Sequence, residues 1–230
     1  MKIIISAIGV LIIAAGVWLL LSDRASAPTT ENESDRMMVS EEASVPPPGT
    51  YTVRANESGI IWSGQKPLIS GYVHRGTIGL SSGSITVGDN TASGTFVLDM
   101  NSIKVTSLGA GKDGRESALE GHLKAADFFD VATHPTATFT ITGGEVISEA
   151  EHRYTIHGTL TMKGVDGNIS FPATIFMEDG LLKARGTFQI DRTKWGITFG
   201  SGNFFSNLAD NAIDDMISLE LNLVAEASTI

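Results

Sequence analysis

The chain has 230 residues with 16 Lys+Arg, 26 Asp+Glu and no Cys, and a net charge of -10. Disulfide scaffolds, thiolate metal sites and cysteine nucleophiles are excluded, and so acidic a chain is no partner for nucleic acid, which is held by basic residues that displace counterions from phosphates. Hydrophobic residues at 42% supply one sizeable core, with apolarity concentrated at the front.

Ile3 to Leu21 is a run of nineteen residues without a charge, which as a helix covers roughly 28 Å, enough for a bilayer core. Lys2 precedes it, so the positive-inside rule sends the rest of the chain to the periplasmic or extracytoplasmic side. A cleaved secretory signal competes, because Ala25-Ser26-Ala27 suits a signal peptidase, but the run exceeds the usual 7 to about 15 residues and Pro28 would follow the cut. We read residues 1–22 as a membrane anchor or uncleaved signal, with the membrane as partner through residues 3–21. Residues 23–49 form an acidic, Pro-containing linker, too polar to offset its ordering entropy and extended near Pro46-Pro47-Pro48. A short strand at Met37 to Ser40 is the weaker alternative there.

Residues 50–228 read as one all-β domain. Leu182, Ala184, Gly186, Phe188 and Ile190 alternate with Lys183, Arg185, Thr187, Gln189 and Asp191, giving one dry and one wet face. The same period runs through Ile169 to Met177 and Ile217 to Leu223, and more briefly through Ile85 and Val87, Phe96 to Met100, Phe139 and Ile141, and Ile156 to Met162. Turn chemistry at Gly88-Asp89-Asn90, Gly143-Gly144, Gly164 to Gly167 and Glu178-Asp179-Gly180 predicts antiparallel neighbours and about eight strands. Arg115 to Lys124 predicts one short helix and Asn203 to Ala209 a second. Long alternating strands favour closure into an eight-stranded barrel over a sandwich, and Gly158, Gly186, Ala173 and Ala184 are expected to leave room inside it.

Gly109 to Gly114 is a literal Gly-x-Gly-x-x-Gly, but no alternation of strand and helix surrounds it as a dinucleotide fold requires. Gly79-Leu80-Ser81-Ser82-Gly83 matches a nucleophile elbow without the helix that aims the serine, and reads as a turn between strands. The five histidines lack the close pairing of a metal site, and Asp210, Asp214 and Asp215 match no calcium loop. Asp127 reads as a backbone cap rather than the acid/base partner of Asp130, and His122 as a helix residue bonded to nearby backbone rather than a contact at the barrel mouth. Arg192 reads as a corner brace, bonded to a carboxylate or stacked on Trp195, in preference to a ligand head-group contact.

Several stretches resemble the YceI-like family of bacterial proteins, lipocalin-like binders of polyisoprenoids and other lipids. They are Tyr51-Thr52-Val53, Asp99 to Ile103, Gly158 to Val165, Asp191 to Ile197, and above all His122-Leu123, Asp127-Phe128-Phe129-Asp130, His134-Pro135 and Phe139 in that spacing. The tail with Phe204-Phe205 and Ile213-Asp214-Asp215 is similar to one subgroup. The resemblance implies an eight-stranded antiparallel lipocalin-like barrel with a helix near its mouth, a long apolar chain inside, and no catalysis or cofactor.

The expected activity is binding, sequestration or transport of a polyisoprenoid or related lipid, with a neutral or weakly polar head because acids outnumber bases in the body. Candidate ligand contacts are Phe128, Phe129, Phe171, Phe188, Ile190, Arg192, Trp195, Phe204 and Phe205; no metal ligand is expected, and a second copy of the chain is a candidate partner. Two rivals stand beside this reading. A lipid-modifying enzyme would need an acid/base pair inside the cavity, and a ligand-free stress-response or interaction domain would have a solid interior.

Overall fold

The computed structural model describes residues 44–88, 91–109 and 114–228. The expected anchor, the linker up to residue 43 with its alternative strand, Asp89 and Asn90 of the first turn and residues 110–113 of the glycine loop lie outside the described residues. Within them the elements are β1 (Gly49–Val53), β2 (Gly59–Gln65), β3 (Val73–Val87), β4 (Ala92–Asp99), β5 (Lys104–Ser107), α1 (Glu116–Lys124), β6 (Thr136–Ser148), β7 (Arg153–Met162), β8 (Val165–Glu178), β9 (Leu181–Asp191) and β10 (Met216–Ala227).

Every pairing between these strands is antiparallel, and β10 closes the sheet by bonding β9 along one edge and β2 and β1 along the other. The ten segments fill eight places. β1 and β2 lie one after the other between β10 and β3, interrupted by a 3-10 turn at Ala55–Glu57. β4 and β5 likewise follow each other along the far edge of β3, interrupted at Met100–Ser102. The result is an eight-stranded barrel with one helix.

Alternation holds along the wall: Leu182, Ala184 and Ile190 are buried while Arg185, Thr187 and Gln189 are exposed, so a slip of one residue would turn the apolar face outward. Two tight hairpins, at Lys163-Gly164 and Asp179-Gly180, place both central residues at positive φ (50° and 71°, 53° and 72°), the primed geometry whose twist matches that of the strands. One end of the barrel, the hairpin end, carries the β3–β4, β6–β7 and β8–β9 connections, including Asp179-Gly180; the other, the helix end, carries α1, residues 192–215 and the Lys163-Gly164 hairpin between β7 and β8.

Several expectations are corrected. Gly143-Gly144 is no turn but lies inside β6 beside a register shift after Ile141, and Gly79 to Gly83 lies inside β3 around a shift between Leu80 and Ser82. Glycine at these points serves bulges and bends in a closed sheet. No helix forms over Asn203 to Ala209, where Asn207 and Ala209 take positive φ (63° and 44°) and a single 3-10 turn follows at Ala209–Asn211. The end of the predicted linker joins the barrel: Met177 donates its amide to the Ser44 carbonyl (2.8 Å), Pro46 is buried, and the Tyr51 hydroxyl donates to the Pro47 carbonyl (2.7 Å).

Candidate functional site: the barrel lumen

Of the small inward residues, Ala173 and Ala184 line the empty space as expected, whereas Gly158 and Gly186 do not. A Cβ at Gly158 would overlap the Phe139 ring, one at Gly76 the Trp62 indole and one at Gly83 the Phe96 ring. These glycines let the rings lie flat against the wall, which keeps the axis open. Along it runs a cavity of about 1040 Å³ reaching both ends of the barrel, at the upper limit of the roughly 300–1,000 Å³ usual for small-molecule sites. An interior filled by the protein's own side chains is excluded.

The middle of the wall is apolar, with Leu80, Phe96, Phe171, Phe188, Leu219 and Leu221 among its residues. Polar side chains that reach it, such as Lys66, His122 and Asp214 at the helix end and Glu149 at the hairpin end, belong to loops, strand ends and α1. Phe171 and Phe188 stack with centroids 4.1 Å apart, and Phe139 leans on Phe171 at 5.6 Å.

Of the residues singled out from sequence, Phe128, Phe129, Phe171, Phe188, Ile190 and Arg192 are brought together around this cavity. Trp195, Phe204 and Phe205 are not. Trp195 is 1% exposed, donates its indole N–H to the Leu160 carbonyl (2.8 Å) and covers Gly167, so it seals the wall from behind. Phe204 and Phe205 project outward from their loop and are exposed. Phe96 and Phe139 were in the inward alternation yet not among the candidate contacts. Trp62 and Phe199, which also line the cavity, belong to segments without clean alternation.

Arg192 is a corner brace of unusual completeness. Its Nε donates to the Asp214 carbonyl (3.0 Å), Nη1 to the carbonyls of Ile197 (2.7 Å) and Phe199 (2.9 Å), and Nη2 to the Ile213 carbonyl (3.2 Å) and the Asp215 carboxylate (3.2 Å). A guanidinium has five N–H donors, and five bonds are made. Burial pushes its pKa below the ordinary value, and Asp215, Asp191 and Asp214 oppose that shift. It lies over the Phe128 ring (6.0 Å) rather than an indole, and its carboxylate contact is single, not bidentate.

Asp127 does not cap backbone. Its carboxylate takes the His122 imidazole (Nε2 to Oδ2, 3.0 Å), and the His122 ring stands edge-on to Phe128 (5.2 Å) and Phe199 (4.6 Å) at the cavity's helix end. An exposed acid satisfies the imidazole there better than a backbone group would. Lys163 Nζ donates to the Phe128 carbonyl (2.6 Å), fixing that ring's backbone. Asp214 and Asp215 go separate ways: Asp214 accepts from Gln65, and Asp215 from Arg192, Ser201 and Asn203. Among the described residues no group of three or more His, Asp or Glu could hold a metal ion.

Comparison with known proteins agrees with this architecture. The family model described as the YceI-like domain matches residues 51–225. A UPF0312 protein of Azotobacter vinelandii is 37% identical over 67 residues, covering 29% of this chain and 34% of its own length; a second, from Pectobacterium atrosepticum, is 33% identical over 111 residues, covering 45% and 56%. The matches thus span about a third and just over half of those relatives. Among solved structures, Burkholderia cenocepacia BcnA superposes with a TM-score of 0.58 at 18% identity, over 75% of this chain and 98% of that one. A polyisoprenoid binding domain from Saccharophagus degradans, implicated in plant cell wall breakdown, gives 0.54 at 20% identity, over 77% and 98%. At such identities these two structures speak for the fold.

Proposed function

The chain belongs to the YceI-like domain family, and from that premise we propose that its lumen binds a long apolar molecule, an isoprenoid or related lipid, and shields or carries it in the cell envelope. The observation that carries the reading is the open apolar axis of about 1040 Å³. Burial contributes about 0.8 kcal/mol per methylene-sized unit, so a chain of some twenty such units offsets association costs of order 4 to 15 kcal/mol. The polyisoprenoid binding named for the Saccharophagus degradans domain points to the same ligand class.

The wall residues proposed to touch the chain are Phe128, Phe129, Phe171, Phe188 and Ile190. Arg192 has no N–H left for a phosphate, which favours a neutral or weakly polar head. No chemistry is proposed, since the mid-lumen wall offers no acid/base pair. An anchor over residues 3–21 would hold the barrel on the extracytoplasmic face of the membrane.

The test is native mass spectrometry of the full chain purified from its own membranes, followed by solvent extraction. The expected result is one long-chain lipid per barrel, released on unfolding. A protein that carries none, and takes up none from added polyprenol, would refute the reading.

A further inference from the structure

Loop 196–209 at the helix end displays apolar side chains that its own backbone would be expected to hide. Phe204 and Phe205 are 58% and 50% exposed, and Phe199 is 40% exposed although it also lines the lumen. Leu68, Val165 and Met216 are exposed at the same end.

The loop is not slack. Ser201, fully buried, donates to Asp215 (2.9 Å), and Asn203 Nδ2 donates to the same oxygen (2.7 Å). Arg192 holds the Phe199 carbonyl (2.9 Å), and the amides of Phe204 and Phe205 both donate to the Ser201 carbonyl (3.2 and 3.0 Å). The corner that Arg192 builds therefore fixes the backbone from which the rings project. From Trp195 to Ala209 the chain carries no charge, between Lys194 and Asp210. Exposed apolar surface of this kind marks a docking face.

We propose that this loop is a lipid-surface docking element, which seats Phe204 and Phe205 in the outer region of a bilayer and brings the helix-end mouth against it. Three observations select a membrane over a protein partner. Phe199 both lines the lumen and stands 40% exposed on this loop, so a lipid taken from the bilayer could enter at this mouth; this argument rests on the function proposed above. An uncharged aromatic loop suits the interface, where charges would need their hydration shells.

The third is reach. The barrel is joined at its hairpin end, where Ser44 pairs with Met177, and residues 22–43 separate it from the apolar run 3–21. Extended, those residues cover about 68 Å at 3.1 Å each, against roughly 33 Å for a ten-residue strand. With the anchor proposed above over residues 3–21, a connection of that length would let the helix end reach the same bilayer.

The test uses the absence of cysteine. Full-length S206C and A150C, labelled with an environment-sensitive fluorophore beside Phe205 and at the hairpin end respectively, are reconstituted in phosphatidylethanolamine/phosphatidylglycerol vesicles carrying spin-labelled lipid. Quenching several-fold greater at 206 than at 150, and reduced to the level at 150 by F204S/F205S in a protein that melts like its parent, is the expected result. Equal quenching at the two sites overturns the proposal. So does disulfide formation between two S206C chains without quenching, which would assign the surface to a second copy. Lipid extracted from the same preparations separates this test from the carrier reading: docking without bound lipid, or bound lipid without docking, refutes one and leaves the other standing.

Discussion

The two ends of the barrel are made of different material. At the hairpin end, Asp179-Gly180 reverses the chain in two residues and needs only positive φ. At the helix end, twenty-four residues between β9 and β10 are organised around one buried cation whose five donors are all engaged. Local turn chemistry alone thus closes one end, while at the other, beside the single tight hairpin Lys163-Gly164, a long-range polar network shapes the mouth, where Phe128, His122 and Phe199 surround the lumen. Such a network is costly if half satisfied, so mutations at the two ends should differ in size as well as place.

Arg192→Ala should produce the largest effect. It orphans four carbonyls and removes the one charged partner of Asp215, a loss of about 3–5 kcal/mol, read as a lowered denaturation midpoint with amide exchange rising first over residues 196–215. A loss below about 1 kcal/mol would erase the contrast between the ends. Next is the wall that the ends share: Phe188→Asp should cost about 2–4 kcal/mol by breaking the stack on Phe171 and placing a charge in an apolar lumen. Gln189→Asp, on the wet face, should stay within about 0.5 kcal/mol. Equal tolerance in urea melts would overturn the strand register.

Two hairpin-end changes sharpen the comparison from below. Gly180→Ala should cost about 1–2 kcal/mol, the penalty of a Cβ at positive φ, with no change at the helix end by amide exchange. The smallest effect is a titration. Lys183, by hydrogen bond and by charge, holds the Glu178 carboxyl below its ordinary value of 4.5. A depressed folded-state pKa means that the pair stabilises above the unfolded value and that this contribution is lost as pH falls through the folded one. Glu178→Gln should therefore flatten the decline in stability below about pH 4.5; an unchanged acid limb would show that the pair contributes nothing.

These differences also explain what could be read from the chain. The inward set of β8, β9 and β10 follows from period two alone, and of the inward residues named there up to Ile175, Ile190 and Leu223 all but Gly186 line the lumen. Glycine is ambiguous at that level: Gly143 permits a bulge where a reversal was expected, and Gly158 gives its space to Phe139 rather than to the cavity. The helix end was the least legible. Trp195 sits in a 3-10 turn and Phe204 and Phe205 in a loop, where no periodicity fixes which way a ring points; their directions are set by Leu160 and Ser201, far away or nearby in the chain.

The central claim is that the open axis of the barrel is the place where a lipid sits. The most direct measurement compares the lipid extracted per folded barrel from the full chain and from Leu221→Trp, which projects an indole into the middle of the lumen from β10. The account predicts a variant that melts like the parent and has lost most of its lipid. Undiminished lipid in a folded Leu221→Trp protein would place the ligand elsewhere and contradict it.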